Sequence, residues 1–264
     1  MQLATWNVNS LNVRLPQLLQ WLAQRQPDIV ALQELKLRNE AFPLPAVQAA
    51  GYDAVWLGQK AYNGVALLVR QGAQLCDVQR NLPNLDDAQA RLIAATVQLP
   101  GTDDALRVVG AYFPNGQAPG SDKFVYKMQW LDALRAWLAT QLNQHPKLVL
   151  MGDFNITRDD LDVWDPVGLR ETIHCTAAER EQLQALLALG LQDALRTTAP
   201  QGGVYTWWDY RQLAFPKNRG LRIDHILLST PLHARLRTCE VDRAMRKRPQ
   251  PSDHAPVVAT LDLD

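Results

Sequence analysis

The chain has 264 residues, 47% of them hydrophobic, with no Ser/Gly-rich or low-complexity stretch to divide it, so a single domain over 1–264 is expected. Lys and Arg total 27 and so do Asp and Glu; net charge therefore gives no pointer to nucleic acid, although a neutral total can separate a basic face from an acidic one. No apolar run approaches membrane-spanning length, no signal-peptide pattern opens the chain, and Cys76, Cys175 and Cys239 fit neither a disulfide framework nor a zinc site, which together predict a soluble, cytoplasmic protein.

In chain order, strand-like runs at about 3–6 and 28–32 bracket a helical pattern of Leu15, Leu18, Leu19 and Leu22 behind Pro16, whose ring suits a first-turn position. Strand-like runs follow at about 53–57, 65–69, 92–98 and 106–111, then a helix marked by Phe124, Leu131, Leu134 and Leu138. A run at about 147–151, a helix carrying Leu183, Leu186, Leu187 and Leu189, and runs at about 204–207, 223–228 and 256–261 complete the chain. The βα crossovers open each half and strands fill the space between, which predicts an α/β protein of two packed sheets flanked by helices rather than one Rossmann sheet. Lys217, Arg219, Arg222, Arg235, Arg237, Arg243, Arg246, Lys247 and Arg248 crowd the C-terminal part and read as a solvated basic face.

Several apolar strands end in isolated polar residues, the pattern by which sheets present acid, amide and imidazole groups at one edge. Glu34 follows Ile29-Val30-Ala31-Leu32, where an unpaired buried carboxylate would be costly and a hard cation would remove the cost. Mg²⁺ takes one or two protein carboxylates and fills its other positions with water and phosphate oxygens, so Glu34 is the expected principal ligand, Asn7 a neutral ligand or an orienter of Glu34, and Asp253 a further ligand. In Asp153-Phe154-Asn155 the two polar residues lie two apart and face one side of an extended chain, able to hold and deprotonate a water; the alternative is an Asx turn closing the strand. Asp224 and His254 suit a carboxylate–imidazole pair whose protonated ring offsets charge on a phosphate. Of the consecutive Trp207 and Trp208, one must face away from the core, free to line a pocket, and Arg211 can reach a phosphate bidentately.

Together, the segments TWNVNS, VALQELK, NGVALLVR, YFPNG, LMGDFNI, YTWWDYR, GLRIDHILLS and PSDHAPV resemble the exonuclease III family of abasic-site endonucleases, in the DNase I-like superfamily, across essentially the whole chain. The resemblance implies a four-layer α/β sandwich with two mixed sheets face to face. It places Asn7 and Glu34 on metal positions, Tyr112 on a phosphate-contacting tyrosine, Asp153 on the acid that activates or positions water and Asn155 on its amide partner. Asp224 and His254 fall on the Asp–His pair, Asp253 on the acid beside it, Trp207 on the deoxyribose-pocket aromatic, Asn115 in a DNA-contact loop, and Asn9 among substrate-binding positions. It further implies a Mg²⁺- or Mn²⁺-dependent, monomeric DNA repair phosphodiesterase that acts on double-stranded DNA with abasic sites, nicks or blocked 3′ ends and leaves 3′-hydroxyls.

One departure bears on substrate choice. Relatives that cut abasic sites carry a small residue and a Phe-Leu-Pro-like stretch where this chain reads Ile173-His174-Cys175-Thr176-Ala177-Ala178. A His174 ring in the sugar pocket would exclude an internal flipped-out sugar but admit a 3′ terminus, which predicts strong or dominant 3′-5′ exonuclease and 3′-phosphatase or 3′-end-cleaning activity with weak internal abasic cleavage, the alternative being efficient abasic-site cleavage as the main activity. The rival is a His174 that merely lies on the surface. Two further rivals share the fold: a phosphatase of inositol phosphates or sphingomyelin, which YTWWDYR speaks against, and a non-catalytic DNA-binding module, which should have lost Glu34, Asp153, Asp224 or His254.

Overall fold

The computed structural model of the chain describes residues 1–102 and 105–262. One six-stranded sheet runs through β11 (Leu236–Val241), β12 (Val257–Leu261), β1 (Gln2–Asn7), β2 (Ile29–Gln33), β4 (Val65–Arg70) and β3 (Tyr52–Leu57). The other runs through β5 (Gln74–Arg80), β6 (Leu92–Gln98), β7 (Ala105–Tyr112), β8 (Leu148–Asp153), β10 (Asp224–Ser229) and β9 (Leu191–Asp193). Each sheet is mixed, with a parallel pair at its centre: β1 with β2, and β7 with β8. A parallel pair needs a long crossover. Helix α1 (Leu11–Arg25) supplies the first and α3 (Asp122–Gln144) the second, with α2 (Leu44–Ala49) and α4 (Ala177–Leu187) beside them.

Side chains alternate along each central strand, and both faces are covered. Ile29, Ala31, Val149 and Met151 join the apolar layer between the sheets. Val30 and Leu32 meet Leu18, Trp21 and Leu22 of α1 on one outer face, while Leu148 and Leu150 meet Trp130, Leu134 and Leu138 of α3 on the other. Burial on two faces explains why these strands read as continuous apolar runs. The result is the expected four-layer α/β sandwich. No helix among the described residues is long and apolar enough to cross a membrane.

The structure corrects several sequence expectations. Strands β5, β9 and β11 were not foreseen, and all three lie at sheet edges. β5 and β11 are held on one side only and carry polar, exposed residues, so the apolar signal is weak there, and β9 is a buried strand of only three residues. Short helices α5 (Ala194–Thr198) and α6 (Thr230–His233) were missed for want of length. Pro16 lies inside α1 rather than in its first turn, because Ser10 and Leu11 donate to the carbonyls of Glu34 and Leu35 and start the helix earlier. The run at 204–207 forms no strand: Trp207 makes isolated bridges to Leu221 and His254, its neighbours' backbone bonds being divided between two loops. Nor is the C-terminal basic cluster a uniform solvated face, since Arg222 and Arg246 are buried.

Candidate active site

Strand register assembles the site. Tyr112 pairs with Asp153 across β7–β8, and Asp153 pairs with Asp224 across β8–β10, so three polar side chains stand in one row at the sheet end. Gly152 makes this closeness possible, because a Cβ there would sit 1.8 Å from the Ala111 carbonyl oxygen. In the facing sheet, β1 delivers Asn7 and the turn after β2 delivers Glu34. The Asn7 amide nitrogen bridges the sheets, donating to Glu34 Oε1 and Asp153 Oδ2 at 2.8 Å each. Its amide oxygen accepts from the Asn9 backbone, so Asn7 acts here as an orienter of both acids.

His254 Nδ1 lies 2.8 Å from Asp224 Oδ2, and Nε2 lies 3.7 Å from Asp153 Oδ2. Burial alone would push the His254 ring towards neutrality, but Asp224 and Asp153 outweigh it and raise its pKa, so the ring is an imidazolium at neutral pH. Asp153 is 1% exposed; burial, with Asp224 and Glu34 adding to it, raises its carboxyl against the pull of His254 and Asn7. The Asn155 backbone donates to Asp153 Oδ1 at 2.9 Å, and the Asn155 side chain is fixed by the Phe113 carbonyl and the Asn115 amide. Burial and the Glu34 and Asp153 charges push the Tyr112 phenol well up, against Arg91, so it remains a donor.

Ligand atoms of Glu34, Asp153 and His254 lie within 4.8 Å of one another; with the His254 ring protonated, the two carboxylates are the groups left to hold a metal ion. The two carboxylates fit an oxygen-preferring divalent cation, with Glu34 facing the open side. Asp253 stands apart from that group. Its oxygens accept from Asn9 Nδ2 and Trp207 Nε1, both at 2.9 Å, and although burial opposes ionisation, His254 and these two donors hold its carboxyl below the usual range. Tyr112, Asn115, Asn155, His174 and Trp207 all line the slot of about 160 Å³ that Glu34, Asp153 and His254 open into. Arg211 does not: it is exposed, and its guanidinium is bonded to Asp209 in an outer cleft.

Other groups at the site went unrecognised in the sequence. Lys36 Nζ lies 2.8 Å from Glu34 Oε2 and donates to Asn9 Oδ1; both Glu34 and Lys36 have positive φ beyond the end of β2, so strand alternation does not mark the pair. The Arg91 guanidinium sits 5.2 Å from the centre of the Tyr112 ring, and Thr206 Oγ1 accepts from the backbones of Ile223 and Asp224. No local pattern marks either.

The sequence pattern of the endonuclease/exonuclease/phosphatase family matches residues 4–254, and the chain belongs to this family. Exodeoxyribonuclease III of Haemophilus influenzae is 35% identical over 98% of this chain and 99% of its own. Among solved structures, the 3′ phosphatase NExo from Neisseria, bound to a product DNA hairpin, is 49% identical with a TM-score of 0.95, and the 3′-5′ exonuclease NExo from Neisseria meningitidis is 50% identical with the same score; each comparison covers 100% of both chains.

Proposed function

We propose that this exonuclease III-type DNA repair phosphodiesterase works chiefly at 3′ ends of duplex DNA, removing 3′-phosphates, other 3′ blocks and terminal nucleotides, with cleavage beside internal abasic sites a minor activity. It acts as a single-domain monomer in the cytoplasm. The observation that carries the reading is His174: the ring is buried, lines the slot with Asp153 and Trp207, and is held 2.7 Å from the Asn155 carbonyl through Nδ1. An internal deoxyribose, with strand on both sides, would have to enter where that ring stands. A terminus needs less room. The names borne by the Neisseria neighbours agree with action at 3′ ends.

The chemistry follows from the row of polar groups. Asp153 and Asn155 hold a water for in-line attack on phosphorus, with Asp153 accepting its proton. The P–O3′ bond breaks with its electron pair going to the 3′-oxygen, which takes a proton from solvent water to become a hydroxyl, and the other product is phosphate or a 5′-nucleotide. His254, held protonated by Asp224, and the Tyr112 hydroxyl donate to phosphate oxygens as charge builds on them. Glu34 and Asp153, oriented by Asn7, would hold Mg²⁺ or Mn²⁺, which supplies charge neutralisation and polarises the phosphate. Phosphate contacts and duplex shape position the DNA, so sequence preference is weak and affinity falls steeply with salt.

The test is one Mg²⁺ assay panel comparing a 3′-phosphate at a nick, a recessed 3′-hydroxyl end and an internal abasic duplex, with Asp153→Asn alongside. Removal of the 3′-phosphate should outpace internal cleavage by about a hundredfold or more, and Asp153→Asn should abolish all three. Internal cleavage as fast as 3′-phosphate removal would overturn the substrate assignment.

A further inference from the structure

We propose that the buried Lys127–Glu179 ion pair selects the substrate by locking His174 into the catalytic slot; this rests on the reading that His174 obstructs an internal sugar. Neither side chain lines the slot, although Lys127 reaches the backbone carbonyls of Asn155 and Asn115, and each is completely buried. A buried ion pair contributes little net stability, because desolvation offsets the attraction, so its value lies in what it positions.

Lys127 projects from α3, and its ammonium has three protons to place. They go to Glu179 Oε1, to the Asn155 carbonyl at 2.7 Å and to the Asn115 carbonyl at 3.2 Å. Glu179 closes the capping box of α4 with Thr176, whose backbone and hydroxyl donate to Oε2 at 3.1 and 2.8 Å. Its Oε1 also accepts the His174 backbone N–H at 3.1 Å. A single carboxylate thus ties α3 and α4 to the His174 loop.

His174 needs such a tie. Its φ is +73°, a left-handed conformation that glycine adopts freely and a side chain with a Cβ resists. The N–H bond to Glu179 holds one side of the residue, and Thr157 holds its carbonyl from the other, through backbone and hydroxyl at 2.8 and 2.9 Å. The ring then meets the same Asn155 carbonyl that Lys127 grips. Loss of the ion pair would loosen both anchors together. The ring has somewhere to go, since His174 also lines an outer cleft of about 480 Å³ with Trp164, Leu169 and Ile173. Lys127 and Glu179 are therefore positioning residues that hold the ring on the slot side.

The experiment measures kcat/KM for an internal abasic duplex and for a 3′-phosphate at a nick, and reads their ratio in His174→Gly, Glu179→Gln and the charge-free double variant Lys127→Met/Glu179→Gln, with folding checked by circular dichroism. The double variant guards against a fold that fails with Lys127 left unpaired. A merely structural role would lower both activities together and leave the ratio alone. His174→Gly should raise the ratio about a hundredfold, and the two ion-pair variants about tenfold each. A rise with His174→Gly but a ratio within twofold of wild type in both folded ion-pair variants would overturn this inference and spare the His174 reading. No rise with His174→Gly would sink that reading, and the inference with it.

Discussion

His174 makes the stability of the protein depend on pH in a way that one substitution isolates. Burial, reinforced by the Lys127 charge, lowers its pKa from 6.5 to about 4, against the Asn155 carbonyl and Glu179, which favour protonation. In the unfolded chain the ring takes up a proton as the pH falls through 6.5, whereas in the folded chain it stays neutral until about 4. The unfolded state therefore binds more protons between these limits, and stability falls as pH drops through that window, with no further loss below it. Linkage over these two values gives a loss of about 2.5 kcal/mol between pH 7.5 and pH 4.5. With a urea slope on the order of 3 kcal/mol per M, this lowers the unfolding midpoint by roughly 0.8 M. His225, also buried with a lowered pKa, adds to the wild-type slope, and the carboxylates contribute as well. The diagnostic quantity is thus the difference between wild type and His174→Gly, measured by urea unfolding at both pH values. Wild type should lose about 2.5 kcal/mol more than the variant. Equal losses would show that the folded ring protonates as readily as the unfolded one, which is incompatible with a neutral side chain sealed in the slot.

Glu34→Gln, which keeps the shape and removes the charge, should raise the Mg²⁺ concentration for half-maximal activity by about tenfold or more, read from a metal titration of 3′-phosphate removal. Tyr112→Phe removes one donor and should lower kcat on the order of hundredfold with a smaller change in KM, by steady-state kinetics on the same substrate. Arg222→Met strips the partner that bonds Asp162 through Nε at 2.7 Å and Asp193 through Nη1 at 2.9 Å. It should cost about 3 kcal/mol in urea unfolding, at the low end for a broken buried pair, because Arg196 still meets Asp162 and Arg158 still meets Asp193.

Central strands were legible in the sequence because burial on both faces leaves long apolar runs, and the two crossover helices because one face of each packs on a sheet. Among the edge strands, β3 was legible at about 53–57, but β5, β9 and β11 were not. β5 has a mostly polar, half-exposed sequence and is a strand only because β6 offers it a row of backbone partners. The segment around Trp207 failed in the opposite sense: it has the aromatics of a strand, but its backbone is shared between the 221 and 253–255 loops. Hydrogen-bond partners, not side-chain type, decided both.

At the site, what could be read was a polar residue stopping an apolar run, since continued burial there demands a partner. Asn7, Glu34, Asp153, Asp224 and His254 all announce themselves this way, and register then brings three strand ends into line. Lys127 gives no such notice. It occupies a helix between Tyr126 and Met128, where lysine is ordinarily solvated, and its burial depends on Glu179, 52 residues away on another helix. Asn7, Asp153 and Asp224 are fixed on paired strands, Glu34 by the turn after β2 and His254 by its bond to Asp224. The ring in the slot is instead held by an ion pair between two helices, and neither helix is bound by the strand register that aligns the acids. Substitution at Lys127 or Glu179 can therefore shift substrate choice while the acid row stays where the sheets put it.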